Sequence, residues 1–339
     1  MNNQVFKLFA DCIPVKGFRR SAIYDLGRCK YRLIPNALYE ILNEFEGKSL
    51  EEIKSHYKGN DLIIDEYFDF LLENEYIFWC NDDEVSNFPP LNLTWDYPGE
   101  ISNAIIRIRL KNDLDTHTII AELSTLGCKD IILHFETSPQ IEFIHEILNT
   151  LRKFPYRSID FFLPYSKEVC DENLWRNICN SNLIIHRIIV YNSPNEIQLT
   201  SENKVMGNII FSHQKDINYN KISKYNFVIN IPTFTEAQKH NLFFNRKLII
   251  SSLGIVTSSL FGNSKEWAIK ENSLREIISK EDFKEKWFIN KDLILVCKDC
   301  EYRYMCIDSR DPKKNENNHW FFDSECGYNP YIAKWKDEV

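Results

Sequence analysis

The 339-residue sequence predicts an α/β chain in three parts: a winged-helix-like head, an open or partial barrel, and a small cysteine-rich tail. Three observations lead there. Within residues 1–80, three helical patterns run directly into an aromatic strand. From Ile105 onward, apolar strand candidates recur at βαβ spacing with helical patterns between the early ones. Four of the ten cysteines, Cys297, Cys300, Cys306 and Cys326, crowd the end of the chain.

In the head, Val5–Phe9 and Ala22–Leu26 read as short strands of a hairpin or small sheet. Leu38, Ile41, Leu42 and Phe45 recur at i, i+3, i+4, i+7, the spacing of one buried helix face, and Gly47 supplies a stop. Ser49 and Glu52 form a capping box that starts a second helix, with Leu50, Ile53 and Tyr57 inward. A third helix carries Ile64, Phe68, Leu71 and Leu72, and Tyr76–Trp79 follows as a strand. Helix, helix, helix, strand in so short a segment is a helix-turn-helix with a wing.

Residues 81–91 are acidic and contain Pro89-Pro90, which marks a linker. Residues 92–239 hold the strand candidates Ile105–Leu110, Ile131–Phe135, Ile159–Leu163, Ile188–Tyr191, Ile209–Phe211 and Phe227–Ile231. Helical patterns at Thr118–Leu126, Ser138–Leu151 and Ser166–Cys179 separate the first four. The later strand starts lie too close for full helices, so the barrel is read as decaying towards its end. Residues 240–339 leave the pattern. Lys247–Ser251 and Ile255–Ser258 read as a hairpin around Gly254, and Asn272–Lys286 as a helix.

Composition excludes several functions. The net charge is −8, so no bulk attraction to nucleic acid or acidic membranes is expected. The head has ten basic and thirteen acidic side chains, and its third helix carries Asp65, Glu66, Asp69 and Glu73 where DNA readers place bases. The longest uncharged stretch, Leu248–Ser264, is broken by serines and glycines and is no membrane span. The N-terminus lacks a basic segment followed by an apolar run, so a cytoplasmic protein is expected. There the cysteines stay reduced. Cys12, Cys29, Cys80, Cys128, Cys170 and Cys179 are scattered and read as small apolar residues.

The head is better suited to peptide. The edge of its sheet and the groove beside its third helix offer an extended peptide a place as an added strand. Candidate contacts are Arg19, Arg20 and Arg28, which with Lys30 and Arg32 form one local basic patch, and Phe68 and Leu71 on the helix.

The tail reads C-x2-C-x5-C-x19-C. Four thiolates including one close pair suit a tetrahedral zinc ion or an iron–sulfur cluster. Tyr302, Arg303, Tyr304 and Arg310 flank them and are expected to support the thiolates, the guanidinium groups offsetting negative charge. His319 lies between the third and fourth cysteines and is expected to be a solvent-facing loop residue. His134, His145 and His213 are read as structural. No phosphate-binding, zinc-protease or nucleophile-elbow motif is present.

The run Cys297-x2-Cys300-Glu-Tyr-Arg-Tyr-Met-Cys306-x-Asp-Ser-Arg310, followed by Glu325-Cys326-x-Tyr-Asn-Pro-Tyr331, resembles the SPASM domain proteins of grasp-with-spasm peptide-maturation systems. That resemblance implies a radical SAM-type partial (β/α)6 barrel in the middle, a peptide-recognition element in front and a SPASM domain behind. It departs from the pattern in an ordered way. The C-x3-C-x2-C motif that binds the S-adenosylmethionine cluster is missing; Lys111–His117 after the first strand holds no cysteine. The hairpin around Gly254 lacks the cysteines of a first auxiliary cluster, and Arg310 stands at that cluster's remaining ligand position. All four ligands of the second auxiliary cluster survive.

The resemblance therefore implies one [4Fe–4S] cluster on Cys297, Cys300, Cys306 and Cys326, with zinc as the alternative, and no binding of S-adenosylmethionine. It further implies an auxiliary maturase that binds a ribosomally made precursor peptide and works beside an ATP-grasp ligase, without radical cleavage of its own. The alternative is a redox enzyme using the retained cluster.

Overall fold

The computed structural model describes residues 4–111, 113–215, 224–260 and 265–336; the end of the uncharged stretch, 261–264, lies outside them. The chain divides into two compact units. One comprises residues 1–96, 220–242 and 289–339, and the other residues 97–219 and 243–288. This is a different division from boundaries at 91 and 239, because the cysteine tail and the segment 220–242 group with the head.

In the first unit, β1 (Gln4–Leu8) pairs antiparallel with β5 (Ile77–Asn81), while β2 (Cys12–Val15), β3 (Ser21–Asp25) and β4 (Lys30–Ile34) form an antiparallel meander. Between β4 and β5 come α1 (Asn36–Glu44), α2 (Leu50–His56) and α3 (Asp61–Glu73). The Ser49–Glu52 capping box is formed at the start of α2, a device that stabilises a helix by about 1 kcal/mol. All five residues of β3 are buried because both faces of the meander are covered. Ile23 points into a core with Leu38, Ile53, Ile64, Phe68 and Leu71. Ala22 and Tyr24 point the other way, into a core with Phe234, Tyr302, Met305, Tyr328 and Trp335.

The second unit is a mixed α/β fold on a nine-stranded sheet. Its chain order is β6 (Asn103–Ile108), α4 (Thr116–Thr125), β7 (Asp130–Phe135), α5 (Ile141–Leu151), β8 (Ser158–Pro164), α6 (Glu172–Ser181) and β9 (Ile185–Tyr191). Then follow β10 (Ile197–Leu199) and β11 (Asn208–Phe211) and, after α7 (Ile231–Ala237) in the first unit, β12 (Lys247–Ile250), β13 (Ile255–Thr257) and β14 (Trp267–Ala268). Neighbours run β10-β11-β9-β8-β7-β6-β12-β13-β14, and the stretch from β11 to β12 is parallel throughout. Ile106, Leu133, Phe161 and Ile188 from one strand face pack with Ile120, Ile144, Ile147 and Trp175 of the crossover helices.

Two expectations are corrected here. Phe227–Ile231 is not a sheet strand. Phe227 makes a single antiparallel bridge to Cys306, flanked by Val228 N–H to Met305 O (2.8 Å) and Ile307 N–H to Asn226 O (3.0 Å), and Pro232 opens α7. The sixth parallel strand is instead β12, which joins beside the first, β6, while keeping its predicted hairpin with β13. The helix expected over Asn272–Lys286 is broken into α8 (Leu274–Ile278), α9 (Glu281–Lys284) and a 3-10 turn. Among the described residues, no helix is long and apolar enough to cross a membrane.

Candidate metal centre

The tail reaches its cysteines through a tight backbone. Val296 adopts φ 69°, ψ −48°, a γ-turn conformation that is costly for a β-branched residue, and Cys297–Asp299 closes as one 3-10 turn. The strand pairing from Phe227 fixes Cys306. Two-residue strands Tyr328–Asn329 and Lys334–Trp335, here β15 and β16, pair antiparallel just after Cys326.

Cys297, Cys300, Cys306 and Cys326 all line one cavity of about 30 Å3, together with Lys291, Tyr302, Arg303, Asp308, Arg310 and Tyr328. Three of the four sulfurs already accept hydrogen bonds. Tyr302 N–H donates to Cys300 Sγ and Tyr328 N–H to Cys326 Sγ, each at 3.4 Å, and Lys291 Nζ donates to Cys306 Sγ at 3.5 Å. Donors aimed at sulfur favour the thiolate. Burial works the other way, pushing the Cys306 thiol up to about 12 and raising Cys297 and Cys300 as well. In the absence of a positive ion Cys297, Cys300 and Cys306 hold their protons, and a metal must displace them. Among the described residues, no group of three or more His, Cys, Asp or Glu side chains is already drawn together closely enough to hold a metal ion.

A buried ionic network forms one wall. Asp308 is 2% exposed and accepts from Lys291 Nζ (2.7 Å) and from Arg310 Nε (3.0 Å), Nη2 (2.7 Å) and backbone N–H (3.1 Å). Burial opposes its charge, but the Lys291 and Arg310 cations hold its carboxyl down at about 2. For Lys291 burial alone would lower the pKa; the Asp308 carboxylate instead holds it well above its ordinary value. Arg310 also donates to Ser324 O and lies 4.2 Å from the centroid of the Phe322 ring.

Of the other residues expected to support the thiolates, Tyr302 is buried against the cavity, and Arg303 pairs with Asp292 (2.8 Å) while donating to Cys300 O (3.0 Å). Tyr304 donates to Asp292 at 2.9 Å. His319 is exposed in its loop. Sequence reasoning missed Lys291 and Asp308 as parts of this site. A lysine before a cysteine cluster reads as surface, and only burial identifies it. Asp308 sat inside the Asp-Ser-Arg run without a role.

The candidate peptide contacts are dispersed. Phe68 and Leu71 are 2% and 0% exposed in the helical core and are closed to a docked chain. Arg20 is bound into the tail: its Nε donates to Glu301 (2.7 Å) and its Nη2 to the Tyr302 hydroxyl (3.0 Å), while Tyr328 OH also donates to Glu301, which is fully buried. Gly17 permits this approach, since a Cβ there would lie 2.4 Å from Arg20 O and 2.9 Å from Glu301. Arg28 pairs with Asp25 (3.1 Å) and Glu75. Arg19 is exposed.

What remains open is the outer edge of the meander. Arg28, Cys29, Lys30, Tyr31 and Arg32 line a groove of about 590 Å3 with Glu73–Tyr76 at the end of α3. Of the remaining scattered cysteines, Cys12, Cys80, Cys128 and Cys179 are buried, and Cys170 is exposed like Cys29.

No family model matches the chain, and no curated protein matches it. Among solved structures, the crystal structure of Streptococcus suis SuiB bound to S-adenosylmethionine aligns over 95% of this chain and 99% of that one, at 9% identity and a TM-score of 0.41. A likeness that distant carries no argument about this chain.

Proposed function

We propose that this chain is an auxiliary protein of ribosomal peptide maturation, holding a precursor peptide on its head and one [4Fe–4S] cluster in its tail. The observation that carries the proposal is the convergence of four cysteines on one cavity walled by buried cations. The C-x2-C pair and two further cysteines reaching one lining is the ligand set of a thiolate-held cluster, with a four-sulfur zinc site as the alternative. Cys297, Cys300, Cys306 and Cys326 would be its ligands. With every iron ligated by thiolate, such a group exchanges electrons and braces the fold but offers no open iron. The chain's own residues hydrogen-bond the sulfurs, through Tyr302 and Tyr328 N–H and Lys291, and exclude water with Tyr302, Tyr328 and Trp335.

Peptide binding is assigned to β4. It is the outer strand of its sheet, so its unpaired backbone groups can take an extended segment as a further strand. The groove beside it supplies side-chain contacts from Lys30, Tyr31 and Arg32. An ATP-grasp ligase would act on the peptide held there.

Anaerobic iron and sulfide analysis of the full chain tests the first half: about four of each per chain is expected, and about one zinc with no sulfide refutes it. Fluorescence anisotropy with labelled peptides encoded beside the gene tests the second. Micromolar binding is expected, and no binding to any of them refutes it. The full chain is needed, because one face of the head's meander is covered by tail residues.

A further inference from the structure

The wall beside the cysteines carries two buried cations and one buried carboxylate. Lys291, Arg310 and Asp308 are 7%, 5% and 2% exposed, and the other charged residue of the lining, Arg303, is paired with Asp292. Asp308 is shared: both cations bond to it, so one positive charge is left without a carboxylate. An uncompensated buried charge is strongly destabilising, and the cavity is where its counter-charge must sit. The surplus is directed there, with Lys291 Nζ at 3.5 Å from Cys306 Sγ.

We infer that Lys291, Asp308 and Arg310 act as a positioning set that imposes a net charge of one on the centre held by the four cysteines and thereby sets its reduction potential. This rests on the cluster reading above. Adding an electron to a thiolate-ligated cluster increases its negative charge, so a fixed buried cation favours the reduced form, as does a hydrogen bond to its sulfur. The sign then follows from which member is removed. Neutralising either cation cancels the surplus and disfavours reduction. Neutralising Asp308 doubles the surplus and favours it. A wall that only supports the fold has no reason to give opposite signs.

The experiment is an anaerobic optical redox titration of the full chain reconstituted with ferrous iron and sulfide, comparing wild type with Lys291→Met, Arg310→Gln, Asp308→Asn and Lys291→Arg. At the wild-type midpoint, the ratio of reduced to oxidised cluster should fall about tenfold in Lys291→Met and in Arg310→Gln, which is 59 mV for a one-electron couple. It should rise in Asp308→Asn and stay near wild type in Lys291→Arg. If one of the two neutralised-cation variants fails to retain iron, the other and Asp308→Asn still give the two signs, and if Asp308→Asn fails, the contrast of Lys291→Met with Lys291→Arg still separates loss of charge from loss of packing. Unmoved midpoints, or shifts of the same sign in all three neutralised variants, overturn the inference. A wild-type chain that takes up no iron and sulfide overturns instead the reading on which it rests, and does so before any variant is made.

Discussion

Replacing Arg20 by methionine removes the only cation among the described residues that is bonded to Glu301, a carboxylate with no exposed surface. Glu301 then keeps the Tyr328 hydroxyl and little else, while the Arg20 stem is retained in volume. Breaking a buried pair by deleting one partner costs about 3–5 kcal/mol. The Arg20 side chain is 29% exposed, so solvent screens part of this and about 2–3 kcal/mol is expected. For a unit of this size each kcal/mol moves the midpoint by about 2–4 °C, giving a loss of roughly 4–12 °C. The assay is thermal unfolding of the full chain followed by near-ultraviolet circular dichroism, which reports on the Tyr302, Tyr328 and Trp335 cluster. Glu301→Gln added to Arg20→Met removes the stranded charge, so the double variant should lose less than the sum of the two single losses, by about 1–2 kcal/mol. A midpoint within about 1 °C of wild type for Arg20→Met, or strict additivity in the double variant, refutes the reasoning.

Other predictions follow from the same structure. Serine at any one of Cys297, Cys300, Cys306 or Cys326 should abolish metal retention on desalting, whereas Cys29→Ser and Cys170→Ser should bind as wild type; metal analysis decides. Charge reversal at Lys30 and Arg32 together should weaken peptide binding about tenfold at low salt and less at high salt; equal affinity at both removes β4 from the binding site. Tyr24 and Tyr156 are buried, and burial raises both pKa values. Below pH 10 they are protonated in either state and contribute no pH dependence. Above it the unfolded chain releases protons that the folded chain keeps, so stability should fall by about 1.4 kcal/mol per pH unit per tyrosine. Tyr24→Phe should flatten that slope in denaturant titrations at pH 10–11.

The elements legible in the sequence are those whose burial follows a local period. Leu38, Ile41 and Leu42 mark α1, and Gly47 takes the positive φ that its stop requires. The strands β6 to β9 appear as apolar runs because helices pack on them. Phe227–Ile231 has the same apolar composition, but its partners are Cys306 and Met305, far along the chain, and no local pattern encodes that. The strands β2 and β4 were missed for a related reason. β4 reads Lys-Tyr-Arg-Leu-Ile, an edge strand with mostly exposed side chains, so its alternation is weak. The four cysteines were legible because thiols at such spacing have few other uses. Lys291 was not, since its burial depends on a carboxylate seventeen positions later.

The two-sided burial of β3 has a consequence for how the chain is made. Ala22 and Tyr24 leave the ribosome long before the aromatic lid over them, Tyr302 to Trp335, is made. At about 5–20 residues per second, the nascent head waits tens of seconds with an oily surface bare to solvent. A holding chaperone would find its natural client in that interval, and truncation before Tyr302 should send the product to aggregates or proteases.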